Sequence, residues 1–280
     1  MDKSTQEKNG VIWVAFGDLY LSMAILSMKS LKNHNSLPCT VVTNKLVDIN
    51  QIDFWDPIND KLIYLDIASS ENRDVKTAIY NYASYERTLY LDCDTIIRED
   101  ITMIFKYLDY FDFCIRPYIR KRTGYLGNLD ILNQGAKVKD YPHFNGGVFA
   151  FRRNQANKNF FEKWGSVYNF KNIPPDQFSL VEALFESDVR ILPLGIEYNY
   201  HPGIRFMFKP EDVKIVHYID RFFPEITYEI LSISKLVEEI DFNVVQYQLN
   251  IKRYMYMKKH RLYYLLYRIL LMIKRNRVFS

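Results

Sequence analysis

Cysteine is scarce. The chain holds three, Cys39, Cys93 and Cys114, far apart and each within an apolar, strand-like run. No Cys-x-x-Cys pair occurs, which argues against a cysteine zinc site or a disulfide framework and fits a reducing compartment. Long apolar runs are missing too. None reaches the roughly 18 residues that a bilayer span needs, and Met1 to Gly10 lacks the apolar stretch of a secretory leader. The expectation is a cytoplasmic protein without a spanning anchor. There is no internal repeat and no low-complexity segment. Acidic residues are absent from one region: from Asn250 onward there are nine Lys/Arg and no Asp/Glu. The preceding part carries 28 basic against 33 acidic residues, so a net charge of +4 conceals a body of net charge −5.

What is present fits a globular α/β chain. The apolar fraction of 48% and charged fraction of 25% are ordinary, and 280 residues can bury one full core with or without a helical appendix. Aromatics reach 16%, with 22 Tyr and 19 Phe, and serve either as core or as substrate platforms. Val11 to Phe16 is a β-branched and aromatic block closed by Gly17-Asp18, a first strand running into a turn. Helical spacing follows from Tyr20 to Leu31, and strands are predicted at Cys39–Thr43, Lys61–Leu65 and Thr88–Leu91, with a helix over Arg73–Tyr85 before the last. Further strands are expected at Val148–Phe151 and Val213–Tyr218, and a helix from Asp176 to Phe185 behind Pro174-Pro175. The long polar stretch Pro117–His143 is a lid or a solvated excursion. Alternating strands and helices imply a parallel or mixed sheet, in which ligands bind at the carboxyl ends of strands. Gly17-Asp18 and Asp92-Cys93-Asp94 both fall there.

Asp92 and Asp94 are two residues apart at the end of a strand that is apolar up to Leu91. On an extended backbone they share a face, less than about 7 Å apart. Such a pair of carboxylates repels unless a cation sits between them. Oxygen ligands suit Mg²⁺ or Mn²⁺, and an imidazole from His217 tilts the set toward Mn²⁺. The alternative is two solvated acids capping a strand. Arg73 and Lys76, three apart on a helical face, are either site cations or plain surface charge. Asn145-Gly146-Gly147 is either a turn or a place of close backbone approach. Asp176 is either a helix N-terminal acid or a substrate contact. His34, His143, His201 and His260 carry no assignment.

The string Arg87 to Ile97, with Phe16-Gly17-Asp18, Tyr20 and Val41 to Asn44 ahead of it, resembles the DxD region of GT-A glycosyltransferases. Arg73 and Lys76 before the DxD, and His143 to Val148, Asp176-Gln177 and His217 after it, follow in the same order. The set is similar to glycosyltransferase family 8 and its nucleotide-diphospho-sugar transferase relatives, over roughly residues 11 to 220. The resemblance implies a Rossmann-like GT-A mixed sheet flanked by helices, spanning residues 1–241. It also implies a divalent metal and a nucleotide-diphosphate sugar donor. Phe16, Asp18 and Tyr20 would line the nucleoside pocket. Arg73 and Lys76 would touch the diphosphate or the sugar, and Asp92 the ribose or the metal. Asp94 and His217 would hold the metal, and Asn145, Asp176 and Gln177 would border the transferred sugar in the catalytic centre. Retention of anomeric configuration is implied. Asp176 or Glu182 would be the base of an inverting enzyme instead. One departure stands out: family 8 follows its metal-binding histidine with Gly and a Lys-Pro-Trp group, whereas this chain reads Tyr218-Ile219-Asp220-Arg221.

Residues 242–280 read as a separate basic aromatic helical tail. Lys258, Arg261, Arg268 and Arg275 fall on one side of a helix around the apolar block Leu262–Ile273. A basic amphipathic helix of this kind suits an anionic membrane surface. Packing on the body is the second reading, and nucleic acid the weakest. Peripheral membrane attachment and a glycan or lipid-linked acceptor are therefore expected. Two other functions compete: a sugar-phosphate nucleotidyltransferase, and a catalytically silent sugar- or membrane-binding module. The first wants a basic glycine-rich loop after strand one, and Phe16 to Tyr20 is not that.

Overall fold

A computed structural model describes residues 8–117, 143–171, 176–200 and 213–217. Residues 118–142 of the expected polar excursion Pro117–His143, and the basic tail, lie outside these residues.

Seven strands form one sheet in the order β3-β2-β1-β4-β7-β6-β8. They are β1 (Asn9–Ala15), β2 (Cys39–Thr43), β3 (Lys61–Tyr64), β4 (Arg87–Leu91), β6 (Phe113–Pro117), β7 (Phe144–Arg152) and β8 (Ile191–Pro193). Strands β3, β2, β1 and β4 run parallel, β7 alone is reversed, and β6 and β8 return to the first direction. A separate antiparallel pair joins β5 (Thr95–Ile97) to β9 (Ile215–His217). The helices are α1 (Asp18–Lys32), α2 (Asn72–Thr77), α3 (Met103–Tyr107), α4 (Gln155–Lys171) and α5 (Gln177–Phe185).

The central strands are apolar on both sides because both faces of the sheet are covered. Val11, Trp13 and Ala15 of β1 pack with Leu89, Leu91 and α1 on one face. Ile12, Val14, Tyr90 and Phe149 pack with α4 and α5 on the other. Much of the aromatic content is spent on that second face. Phe149 lies against Phe113, Phe161 and Trp164, with ring centroids 5.3 to 6.2 Å apart. Full burial of each such side chain contributes roughly 1.5–3 kcal/mol.

The helix expected over Arg73–Tyr85 is instead broken after Thr77, with a short 3₁₀ turn at Ile79–Asn81. The Arg153 guanidinium donates to the carbonyls of Tyr80 and Ala83, beyond the break, and fastens the turn that follows it. Asn145-Gly146-Gly147, expected as a turn or a close approach, lies inside β7. Pairing with β6 jumps from Ile115–Phe149 to Arg116–Asn145, so Gly146, Gly147 and Val148 bulge on β7. Asp92 and Asp94 are not strand residues either: β4 stops at Leu91, and Asp92 to Asp94 turn the chain into β5.

Candidate active site

The turn from β4 to β5 is held from three sides. Asp92 N donates to Gly147 O at 2.8 Å, extending the β4–β7 pairing by one bond. Cys93 Sγ donates to Val14 O at 3.1 Å, drawing that side chain into the core. Thr95 Oγ1 donates to Asp92 O at 2.8 Å. Because that proton is committed, Ser27 Oγ donates to Thr95 Oγ1 (2.8 Å) and in turn accepts from Trp13 Nε1 (3.1 Å). With Cys93 pointing inward, the two aspartates flanking it turn toward the same side.

His217 reaches them through β9, whose pairing sets it opposite Thr95. Its Nε2 lies 3.0 Å from Asp94 Oδ1 and 3.8 Å from Asp92 Oδ2. One ligand atom from each of Asp92, Asp94 and His217 falls within 4.8 Å of the others. On the far side of the ring, Nδ1 faces Asn199 Oδ1 at 3.1 Å. That contact takes a proton on Nδ1 and turns Nε2 toward the carboxylates, the orientation in which a second-shell partner holds a metal-ligating histidine. Two carboxylate oxygens and one imidazole nitrogen fit Mn²⁺ or Mg²⁺.

Gly147 makes room for this cluster. A Cβ there would lie 2.7 Å from His217 Nδ1 and 2.8 Å from Asp92 Oδ2. Its backbone φ is not in the left-handed region; among the described glycines only Gly17, at φ +83°, is. The requirement at Gly147 is therefore space, not backbone conformation.

Lys76 enters from α2 and is buried. Its Nζ lies 2.9 Å from Asp92 Oδ1 and 3.3 Å from Asp176 Oδ2, so one ammonium bridges the two carboxylates. Burial by itself lowers the Lys76 pKa, but Asp176 and then Asp92 outweigh it, and the group is held above its ordinary value. Burial likewise opposes a charged His217, and Asp94 and then Asp92 reverse that, raising its pKa. Burial raises the Cys93 thiol well above its ordinary value, so it remains an unreactive thiol. Asp176 precedes α5 but makes no side-chain cap to it. Its carboxylate turns to Lys76, which separates it from a simple helix-capping acid. Gln177 begins α5, and its Cγ lies 4.0 Å from the position a Cβ on Gly146 would take.

The structure thus brings Lys76, Asp92, Asp94, Asp176, Gln177 and His217 around the Gly146–Gly147 bulge. Asn145 is buried beside it, with Oδ1 accepting from Gly147 N at 2.8 Å, so that part of its amide shapes the bulge. Arg73 parts from Lys76 and lies by Tyr168. Asp18 and Tyr20 stand at the start of α1, at the carboxyl end of the adjacent β1, and the Asp18 carboxylate is 3.2 Å from Lys45 Nζ. Asn44 closes that end: it accepts from Gly17 N at 2.9 Å and donates to Ile67 O at 3.1 Å. Phe16, expected along the nucleoside pocket, is buried in the core and belongs to the packing of the sheet. Sequence reasoning missed Tyr90 and Asn199. Tyr90 was within reach of the two-residue strand period, because it shares a face with Asp92. No local pattern marks Asn199.

No family model matches the chain, and no curated protein matches it by sequence. Solved structures do match by shape. An active-site mutant of LgtC superposes with a TM-score of 0.53 at 16% identity, covering 75% of this chain and 86% of that one. Mouse xyloside xylosyltransferase 1 in its apo form gives 0.52 at 13% identity, covering 75% and 97%. The glycosyltransferase GlyE of Streptococcus pneumoniae gives 0.55 at 18% identity, covering 88% and 65%. With the sheet order and the acidic turn at the end of β4, these likenesses show that the chain has the GT-A glycosyltransferase fold.

Proposed function

We propose that this chain is a glycosyltransferase. It takes a sugar from a nucleotide-diphosphate sugar and passes it, with retention, to a hydroxyl of a glycan or lipid-linked acceptor. The observation that carries the reading is the convergence of Asp92, Asp94 and His217 within 4.8 Å at the carboxyl end of a central strand. By name, the structural neighbours are sugar transferases, one of them a galactosyltransferase seen with donor and acceptor sugar analogs.

Asp92, Asp94 and His217 would hold Mn²⁺ or Mg²⁺. Bound there, the ion supplies Lewis-acid and electrostatic stabilisation of the diphosphate leaving group. The chain's own groups do the rest. The Lys76 ammonium has three N–H donors, and Asp92 and Asp176 face two of them, so the third serves the donor's phosphate or sugar. Asp176 is buried, pairs with Lys76 through Oδ2 at 3.3 Å, and would border the transferred sugar beside that pair. Gln177 and the Gly146 backbone border the same space. Asp18 and Tyr20, with Asn44, flank the end of β1, where the nucleoside would lie. Commitment of Asp176 to Lys76 favours a mechanism driven by leaving-group departure over one that needs a free carboxylate base.

The test is incubation of the full chain with a panel of nucleotide sugars, with and without Mn²⁺, reading released nucleoside diphosphate. Release from one donor class that depends on the ion supports the proposal; no release from any donor with any divalent ion sinks it. For the basic tail we propose a peripheral position on anionic membrane. Deleting residues 250–280 is expected to abolish binding to anionic vesicles while donor hydrolysis persists, and undiminished binding contradicts this.

A further inference from the structure

Among the described residues, the side-chain donors that grip Asp92 both fall on one oxygen. Tyr90 Oη donates to Asp92 Oδ1 at 2.8 Å, and Lys76 Nζ donates to the same oxygen at 2.9 Å. A carboxylate oxygen has two lone-pair directions in its plane, and here two donors fill them. Oδ2 is the atom left turned toward His217 and Asp94.

We infer that Tyr90 is a positioning residue for the metal site: with Lys76 it saturates Asp92 Oδ1, so that Asp92 offers a divalent cation Oδ2 alone. The inference rests on the metal reading of Asp92, Asp94 and His217 and adds the mode of ligation. Tyr90 is well placed for the task. It is 2% exposed and sits in β4 one residue before the strand ends, two residues ahead of Asp92. Its ring stacks on Phe149, centroids 4.6 Å apart and planes at 16°, and Lys76 Nζ stands 5.0 Å from its centroid. A phenylalanine would keep the stack and lose the donor, freeing Asp92 to rotate.

The experiment compares Mn²⁺ affinity of full-length wild type, Tyr90→Phe and Asp94→Asn by calorimetric titration, with melting curves taken without metal. Tyr90→Phe is expected to weaken Mn²⁺ binding by about 10- to 100-fold, the range for loss of a second-shell partner. The cost in melting temperature should be only about 2–4 °C. A lowered melting temperature with unchanged Mn²⁺ affinity would show a merely structural tyrosine and overturn the inference. Asp94→Asn separates the two levels of claim. If wild type binds Mn²⁺, Asp94→Asn does not, and Tyr90→Phe binds as wild type does, the positioning role alone fails. If wild type binds no Mn²⁺, the metal reading fails and takes the inference with it. Should Tyr90→Phe not fold, infrared difference spectra of the wild type on Mn²⁺ addition decide. The wide splitting of carboxylate stretches that marks monodentate ligation is expected at Asp92, assigned by its loss in Asp92→Asn, and the narrow splitting of a bidentate carboxylate contradicts it.

Discussion

His217 Nε2 lies 3.0 Å from Asp94 Oδ1, although the two residues come from distant parts of the chain. The short pair β5–β9 makes this possible, because Thr95, next to Asp94, pairs with His217 itself. Asp94→Asn removes the charge while keeping the shape of the side chain. It is expected to abolish metal-dependent donor cleavage with the circular dichroism spectrum unchanged; full activity in this variant would place the metal elsewhere.

Gly147→Ala puts a methyl group where His217 and Asp92 already stand. His217 is boxed in by Asn199 on one side and Asp94 on the other, so it cannot withdraw without losing a partner. Overpacking of this kind costs about 1–3 kcal/mol. The variant should melt earlier and bind Mn²⁺ more weakly, measured by thermal melts and titration. Wild-type values for both would show that the bulge has slack the structure does not display.

Lys76→Met leaves Asp92 and Asp176 facing each other without the ammonium between them. Breaking a buried ion pair by removing one partner costs on the order of 3 kcal/mol. Denaturant unfolding should show that loss, and adding Asp176→Asn to the same chain should recover part of it. If the double variant is no more stable than Lys76→Met, the two carboxylates are not coupled through Lys76.

Acid stability depends on Asp112, far from this chemistry. Asp112 is buried, and accepts from Arg190 Nε at 2.9 Å and from Arg152 Nε at 2.8 Å. Burial pushes its pKa up, but hydrogen bonds from Arg190 and Arg152 prevail and hold the carboxyl well below the usual range. The unfolded chain, with Asp near about 3.9, therefore binds the proton first as pH falls. The stabilisation is fully present above about pH 4 to 5 and is lost as pH drops toward the folded-state pKa. Urea melts from neutral to acid pH should give Asp112→Asn lower stability at pH 7 and a shallower fall below about pH 4. Parallel acid limbs would remove Asp112 from the account.

The parallel half of the sheet was legible because β1, β2 and β4 are buried on both faces and so appear as unbroken apolar runs. The Cys39–Thr43 strand matches the sequence reading end to end. Strand β5 was hidden inside the DxD string, because at three residues it is too short to show a period. The break after Thr77 was hidden as well, because Arg153, which holds the turn that follows it, is remote in sequence. At the site, the ligating residue types could be named from the sequence; their mutual geometry could not. The sequence alone put Asp92 and Asp94 on an extended strand, whereas a turn held by Thr95 and Cys93 aims them. Asn199, which fixes the face of the His217 ring, belongs to no recognisable pattern.

The proposed function requires a cation held jointly by Asp92, Asp94 and His217. Pulsed electron paramagnetic resonance on the full chain with Mn²⁺ reads this directly. One bound ion per chain is expected, with a coordinated imidazole nitrogen whose coupling disappears in His217→Gln. A chain that binds no Mn²⁺, or binds it with no nitrogen coupling, contradicts it.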